Sequence, residues 1–284
     1  MGYGDDLIIT SHASNIKKKF PDRQIVIGSV KKKQAYHSVI YDNNPNIADC
    51  NKLDLKKPIH IIDYHPGNRP YIDYEKSTNK KYIWNRNFKV MPGEIYFSKN
   101  EKDNADKIIQ NALKFWSSNN KKKLKGILFF EPSSTKIEDK QFAIKQQNKD
   151  WGFENWKNLA DRLSPDYLLI QSIHNNSRSI KNLFNPGILD FRTACAVMDK
   201  CDLYLGLEGG FVQAAGALRK KAVIYFGGWI SPDNVGYEFH ENIYFKDILS
   251  PCGEYVDLCK HCENARKAIS VETFIKKINN ILNK

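Results

Sequence analysis

Apolar and polar positions follow two alternating patterns in the second half of the chain. Short apolar runs bounded by turn residues, which are typical of buried strands, lie at 125–135, 166–173, 203–207 and 222–226. Runs with helical periodicity or many small residues lie at 151–165, 191–201, 213–218 and 270–284. Strands that alternate with helices in this way predict an α/β fold, with a parallel sheet covered by helices on both faces.

The first half shows a weaker form of the same pattern. Apolar runs predict strands at 23–30, 37–43 and 57–66, and an apolar stripe predicts a helix over 99–120. The polar, basic run NNKKKLKG at 119–126 follows that helix and is typical of a linker. We therefore predict two domains, residues 1–120 and 121–284.

Composition and charge narrow the class of partner. The chain has 284 residues, 41% of them hydrophobic, and this favours a folded protein with room for two domains. A net charge of +12 favours an anionic partner, such as a nucleotide, a phosphorylated substrate or an anionic membrane surface. Lysine runs such as 17–19 and 121–123 are equally well explained as solvated surface. Because no nucleic-acid recognition motif accompanies the charge, we expect no nucleic-acid partner.

The sequence shows no targeting or membrane-spanning pattern. No apolar run approaches the length that crosses a bilayer, and the start, MGYGDDLIITS, lacks the basic-then-apolar order of a secretory signal. We expect a cytoplasmic protein, with peripheral contact at the inner face of the membrane as an open alternative.

Six cysteines do not make a disulfide scaffold in a chain of this length, so we expect a reducing compartment. Three of them, Cys252, Cys259 and Cys262, form a C-x6-C-x2-C cluster that could ligate a metal. A fourth ligand is not evident, although His240 is one candidate. Because three ligands fall short of the usual four, we favour the interpretation that the three thiols only pack, and we expect no metal. We expect the three to lie close in space near the last strand, and we expect no cofactor.

A glycine pair, Gly209-Gly210, separates the predicted strand at 203–207 from the following helix. Unpaired backbone N–H groups and the helix dipole make such a position suitable for an anion, and glycine lets the anion approach the backbone. The adjacent Glu208 repels phosphate, so we expect it to accept hydrogen bonds from sugar or ribose hydroxyls. The alternative is a tight turn with no ligand.

Other loops at the same predicted edge have chemistry that suits an anion. Three hydroxyls, Ser133, Ser134 and Thr135, lie in the loop that ends the run at 125–135. Lys149 precedes a helix, and Gly227 begins the glycine pair that ends the last of these strands. Ligands of open parallel sheets bind beyond the carboxyl ends of the strands, so these loops predict a pocket for a nucleotide diphosphate.

The order of these segments resembles family 9 glycosyltransferases, the ADP-heptose lipopolysaccharide heptosyltransferases and their relatives. The run GLEGGFVQAAGALRKKAVIYFGGWISP resembles the family's Asp-Ser/Thr-Gly-Pro-x-His segment and the helix and strand that follow it. KDWGFENW resembles its Lys-x-Trp-Pro segment, EPSST its hydroxyl loop, and CKHCENARKAISVETF its Cys-rich end. Near the start, YGDDLIITSHASNIKKKFPDRQIVIG resembles the family's Gly-Asp turn and first helix, so the resemblance covers most of the chain.

Several positions depart from the family pattern. Glu208, Gly209 and Gln213 stand where the family has Asp, Ser or Thr, and His, while Gly210 keeps the family glycine. Phe211 replaces a proline. The family also has a strand before the Gly-Asp turn, so either that strand is missing here or the N-terminal sheet is reduced.

The resemblance implies a GT-B fold, in which two Rossmann-like parallel-sheet domains face each other across a cleft, here with a reduced N-terminal domain. It implies inverting, metal-independent transfer of a heptose-like sugar from a nucleotide-diphosphate sugar, such as ADP-heptose, to a glycan or glycolipid acceptor of lipopolysaccharide type. Asp5 matches the family's Gly-Asp position and is the candidate base, with Asp6 as its neighbour and substitute; the alternative for both is helix capping. Because of the departures, a degenerate relative that binds a nucleotide or a partner without transfer remains the alternative function.

Overall fold

The structure is a computed structural model that describes residues 2–133, 147–175 and 177–283. The N-terminal half begins with helix α1, Tyr3–Lys19, followed by strands β1, Gln24–Ser29, β2, Gln34–Ala35, and β3, Ile59–Asp63. The sheet order is β2-β1-β3, with β1 parallel to β3 and antiparallel to the short β2. This small sheet agrees with the expected reduced N-terminal domain.

The predicted strand at 37–43 is wrong. Residues Val39–Tyr41 form one turn of 3-10 helix instead. The Ser38 hydroxyl accepts a hydrogen bond from the Ile40 N–H at 3.3 Å, and Ile40 and Tyr41 are buried. Apolar residues suit a buried turn as well as a strand, so local capping by Ser38 decides between them.

Helix α2, Lys99–Asn119, agrees with the predicted helix. It starts at a capping box, in which the Ser98 hydroxyl accepts from the Glu101 N–H and the Glu101 carboxylate accepts from the Ser98 N–H. The helix packs on elements of the C-terminal half, mainly the helix at 191–199. The domain boundary at 120 stays a prediction.

The C-terminal half is built on a parallel sheet of five strands in the order β5-β4-β6-β7-β8. In chain order the strands are β4, Gly126–Glu131, β5, Tyr167–Gln171, β6, Leu203–Leu207, β7, Ala222–Gly227, and β8, Glu241–Tyr244. The helices are α3, Phe153–Leu163, α4, Phe191–Asp199, α5, Gly210–Ala217, α6, Pro232–Val235, α7, Lys260–Ala268, and α8, Val271–Leu282. The alternation read from the sequence is confirmed.

Both faces of this sheet are covered. Along β4, Leu128 and Phe130 pack with α3 and α8, whereas Phe129 packs on the opposite face with Phe211 of α5. The buried residues on the face of Phe129 form a cluster that continues into the N-terminal half. It includes Leu7 and other buried residues of α1 and β1. The fold is therefore α/β and Rossmann-like. Among the described residues, no helix is long and apolar enough to cross a membrane.

Candidate active site

A cavity of about 300 Å³ lies where the first turn of α1 meets the carboxyl ends of β4 and β6. Gly2, Tyr3, Gly4 and Asp5 line it from the N-terminal half; Glu131, Lys149, Phe191 and the segment 208–211 line it from the C-terminal half. The N-termini of α1 and α5 meet here, because a Cβ added to Gly4 would lie 3.0 Å from the Gly210 Cα. Two helix N-termini at one cavity favour an anionic ligand.

The two glycines before α5 differ in what surrounds them. A Cβ on Gly209 would meet only the Leu207 carbonyl oxygen, at 4.0 Å, and the backbone at Gly209 is extended (φ 166°). A Cβ on Gly210 would lie 3.3 Å from the Phe191 ring and 3.6 Å from the Gly4 nitrogen. Gly209 therefore leaves open space at the cavity. Gly210 has no side chain, and this lets α1 and α4 lie close to its backbone.

Lys149 and Glu208 form an ion pair within the cavity. The Lys149 Nζ lies 2.7 Å from the Glu208 Oε2 and 4.0 Å from the centre of the Trp229 ring. The structure thus brings together the cation and the carboxylate that the sequence placed on separate loops. Paired in this way, Lys149 offsets the negative charge that Glu208 would otherwise present to an anionic ligand.

The remaining expected site residues have different surroundings. Gln213 lines the cavity, but its Nε2 donates to the Val235 carbonyl at 2.9 Å and its Oε1 accepts from the Tyr237 hydroxyl at 2.6 Å. Gly227 ends β7 with a φ of +59° and does not line this cavity. Ser133 is buried just beyond β4. Ser134 and Thr135 lie outside the described residues.

Asp5 and Asp6 are both buried in the first turn of α1, but they contact different groups. Asp5 lines the cavity; its Oδ1 accepts a 2.5 Å hydrogen bond from the Tyr71 hydroxyl, and its Oδ2 lies 3.1 Å from the Arg69 Nε. Asp6 accepts hydrogen bonds from Ser38 at 2.7 Å and from Tyr41 at 3.3 Å.

Burial raises the pKa of Asp6, although its hydroxyl partners oppose the rise. Asp5, in contrast, is held in place beside an arginine and faces the cavity. Of the two carboxylates, Asp5 has the position expected of a base that acts on a bound substrate.

Sequence reasoning missed Glu131, Arg69 and Tyr71. Glu131 ends β4 at the cavity, where its Oε2 accepts a 2.5 Å hydrogen bond from the Tyr204 hydroxyl. Burial, assisted by the charge of Glu208, raises the pKa of Glu131 to about 8. Glu131 could have been predicted from the sequence, because it is a carboxylate at the end of a predicted strand. Arg69 and Tyr71 lie in an irregular segment, whose sequence gives no periodicity to interpret.

The three clustered cysteines lie close together, as predicted. Their sulfur atoms are all within 4.8 Å of one another, and the Cys252 and Cys262 sulfurs are 3.2 Å apart. The hydrogen bond from the Cys262 thiol lowers the pKa of Cys252. The cluster lies beyond the carboxyl end of β7, since the Cys252 N–H donates to the Gly228 carbonyl at 3.0 Å.

Neither His240 nor His261 belongs to this cluster. His240 precedes β8, whose first residue pairs with Val223 at the opposite end of β7, so His240 is not the fourth ligand. It packs instead against the rings of Tyr237 and Phe239. His261 lies 3.1 Å from an Asp247 carboxylate oxygen and 3.0 Å from the Ser250 hydroxyl.

Comparison with known proteins supports the fold. The sequence matches no family model, and it matches no curated protein. Among solved structures, 99% of the chain superposes on 94% of a glycosyl transferase family 9 protein from Veillonella parvula, with a TM-score of 0.62 and 13% identity. It also superposes over 99% of its length on 74% of TibC, a bacterial iron-containing dodecameric glycosyltransferase from enterotoxigenic E. coli, with a TM-score of 0.61 and 14% identity. The chain therefore shares the fold of family 9 glycosyltransferases.

Proposed function

We propose that this protein is a glycosyltransferase that uses a nucleotide-diphosphate sugar. The observation that carries the proposal is the shared cavity, in which Asp5 faces Lys149, Glu208 and the N-terminus of α5. The fold shared with family 9 glycosyltransferases supports it. The donor is bound by the C-terminal half, and the acceptor, a glycan or glycolipid, enters from the N-terminal half.

The reaction is an inverting displacement at the anomeric carbon. The acceptor hydroxyl oxygen forms a bond to that carbon while the bond from the carbon to the diphosphate oxygen breaks. Asp5 takes the hydroxyl proton, and the diphosphate leaves with the bonding electrons. Arg69 and Tyr71 hold the Asp5 carboxylate in a fixed orientation, which lowers the entropic cost of the proton transfer.

Positive groups on the other side of the cavity stabilise the leaving group. Lys149 exchanges its contact with Glu208 for one with the diphosphate, and the N–H groups at the start of α5 add hydrogen bonds. Glu208, once released, accepts hydrogen bonds from hydroxyls of the ribose or the donated sugar. No step in this mechanism uses a metal ion.

A ligand screen tests the proposal directly. The melting temperature of the protein is measured with ADP-, GDP-, UDP- and CMP-sugars, since a ligand that binds only the folded state raises it. We expect one nucleotide class to raise it by several degrees, in proportion to the logarithm of its concentration. If none does so at millimolar concentration, the protein does not bind a nucleotide sugar and the proposal is wrong.

We also propose that Cys252, Cys259 and Cys262 hold a structural transition-metal ion. Clustered thiols suit zinc or iron, and the structurally similar E. coli protein is iron-containing. Among the described residues no fourth Cys, His, Asp or Glu joins the cluster. The cluster is linked to the cavity, because the Asn148 Oδ1 accepts from the Cys259 N–H at 2.9 Å and Asn148 precedes Lys149.

A further inference from the structure

A second, larger cavity of about 710 Å³ lies beside the first turn of α4. It is lined by the segment from Tyr36 to Lys52 together with Ser98, Glu101 and Arg192. Two pairs of consecutive residues separate the two cavities. Asp5 faces the first cavity while Asp6 bonds to Tyr41 of the second, and Phe191 lines the first while Arg192 lines the second.

The charges in this second cavity do not suit an anion, although the whole chain carries a net charge of +12. Its side chains include two cations, Arg192 and Lys52, against three carboxylates. The guanidinium of Arg192 is used within the protein, where it bonds to both Glu101 carboxylate oxygens and to the Val39 and Tyr96 carbonyls. Lys52 is paired with Asp49 at 3.3 Å. Both cations of this cavity are therefore already paired with carboxylates of the protein.

The lining of this cavity includes three side-chain amides and three hydroxyls, from Asn43, Asn44, Asn51, Tyr36, Tyr41 and Ser98. The key residue is Asn44, which is only 5% exposed. Its Oδ1 accepts a hydrogen bond from the Asn46 N–H at 2.8 Å, and this fixes the side-chain amide. Its Nδ2 is buried and has no hydrogen-bond partner among the described residues. A buried donor without a partner is costly, so it is a natural place for a ligand oxygen.

We propose that this cavity binds a neutral glycan, which forms the part of the acceptor beyond the reacting sugar. Amides and tyrosine hydroxyls supply donors and acceptors that match sugar hydroxyls, and the half-buried Tyr36 supplies a ring face for the sugar. The role as an acceptor subsite rests on the proposed function, whereas the binding of a neutral glycan does not.

Cys50, a half-buried thiol in the lining, gives a readout that needs no catalysis. Its rate of alkylation by iodoacetamide is followed by mass spectrometry with maltose, cellobiose, lactose and mannobiose as neutral probes, and with glucose 6-phosphate and glucuronic acid as anionic probes. We expect at least one neutral disaccharide to slow the reaction about threefold at a concentration of about twice its Kd. The alkylation rate of glutathione added to the same mixture reports any general effect of the sugar on the reagent and should not change.

Asn44→Asp removes the buried donor and keeps the acceptor oxygen, so it should weaken binding of that disaccharide about fivefold to tenfold. Asn158→Asp, on the exposed face of α3, adds the same charge elsewhere and should bind as the wild type does. Should Asn44→Asp fail to fold, Tyr36→Ala is the second variant, and the same loss is expected.

The proposal is overturned if no neutral disaccharide protects Cys50, if the anionic sugars protect it better, or if the folded variants bind as tightly as the wild type. Because binding is measured without a donor, a protein that binds glycans but transfers no sugar would refute the proposed function alone. An active transferase without this binding would refute the glycan site alone.

Discussion

At the scale of single residues, the cavity depends on contacts that differ between neighbouring positions. Gly209 leaves open space toward the cavity, while Gly210 accommodates Phe191 and Gly4. Glu208 is paired with Lys149, whereas Glu131, on the adjacent strand, is hydrogen-bonded to Tyr204. These differences allow substitutions that change the ligand site without changing the packing.

Replacing Gly209 tests the contact between ligand and backbone. Gly209→Val places a side chain in open space at the cavity, so we expect nucleotide affinity to fall at least about tenfold with little change in melting temperature. Gly210→Ala is the matched comparison, because its methyl group would press on the Phe191 ring at 3.3 Å and should lower the melting temperature. Calorimetric titration measures the change in affinity, and thermal unfolding measures the change in stability. Unchanged nucleotide affinity in Gly209→Val would show that the diphosphate does not bind at this position.

The buried Glu131 predicts a pH dependence of stability. Its pKa rises from an ordinary 4.5 to about 8 on folding, so the folded state holds this proton more tightly. The stabilising contribution is complete below about pH 4.5 and is lost as the pH rises through about 8. Relative to Glu131→Gln, the wild type should lose at most about 1.4 kcal/mol of unfolding free energy per pH unit within that window. Urea unfolding of both proteins measures this, and parallel pH curves would show that Glu131 is not protonated in the folded state.

At the scale of elements, the cysteine cluster and α7 support the loop that carries Lys149. Arg266 of α7 donates to the Gln147 and Asp150 carbonyls at 2.6 and 2.9 Å. Asn148 donates to the Glu254 and Asp257 carbonyls, which lie between the cysteines in sequence. The position of Lys149 is therefore set by a segment about a hundred residues later in the chain.

Metal analysis tests the role of the cluster. Protein purified without chelators should contain about one zinc or iron per chain, and Cys262→Ser should reduce this to near zero. Cys50→Ser, outside the cluster, should keep the metal. If the wild type carries no stoichiometric metal, the three thiols only pack.

The secondary structure was predictable where an apolar run of the sequence fits only one kind of element. The apolar runs that became β6 and β7 agree with prediction almost to the residue, because strands buried on both faces are nearly continuous apolar runs. At 37–43 the apolar residues suited a turn equally well, so the prediction was wrong. The glycine pair and Lys149 could be found from local chemistry. The contact between Asp5 and Tyr71 joins positions 66 residues apart, which no local pattern reveals.

At the scale of the whole molecule, one buried hydrophobic cluster extends through both halves, and residues of both halves line each of the two cavities. The first cavity combines a carboxylate from one half with a lysine and a helix N-terminus from the other. A reaction that needs a base on one side and a stabilised anionic leaving group on the other fits this division. The central claim is therefore that Asp5 acts in turnover and not in donor binding.

The most direct test measures nucleoside diphosphate release from the donor found by thermal shift, for the wild type and for Asp5→Asn. The asparagine keeps the size of the side chain but removes its basic form, so release should fall about 100-fold or more while nucleotide affinity stays within about twofold. Asp22→Asn, on the exposed turn after α1, is the control and should behave as the wild type does. Equal losses of rate and affinity would make Asp5 a structural residue, and unchanged release would contradict the claim that Asp5 is the base.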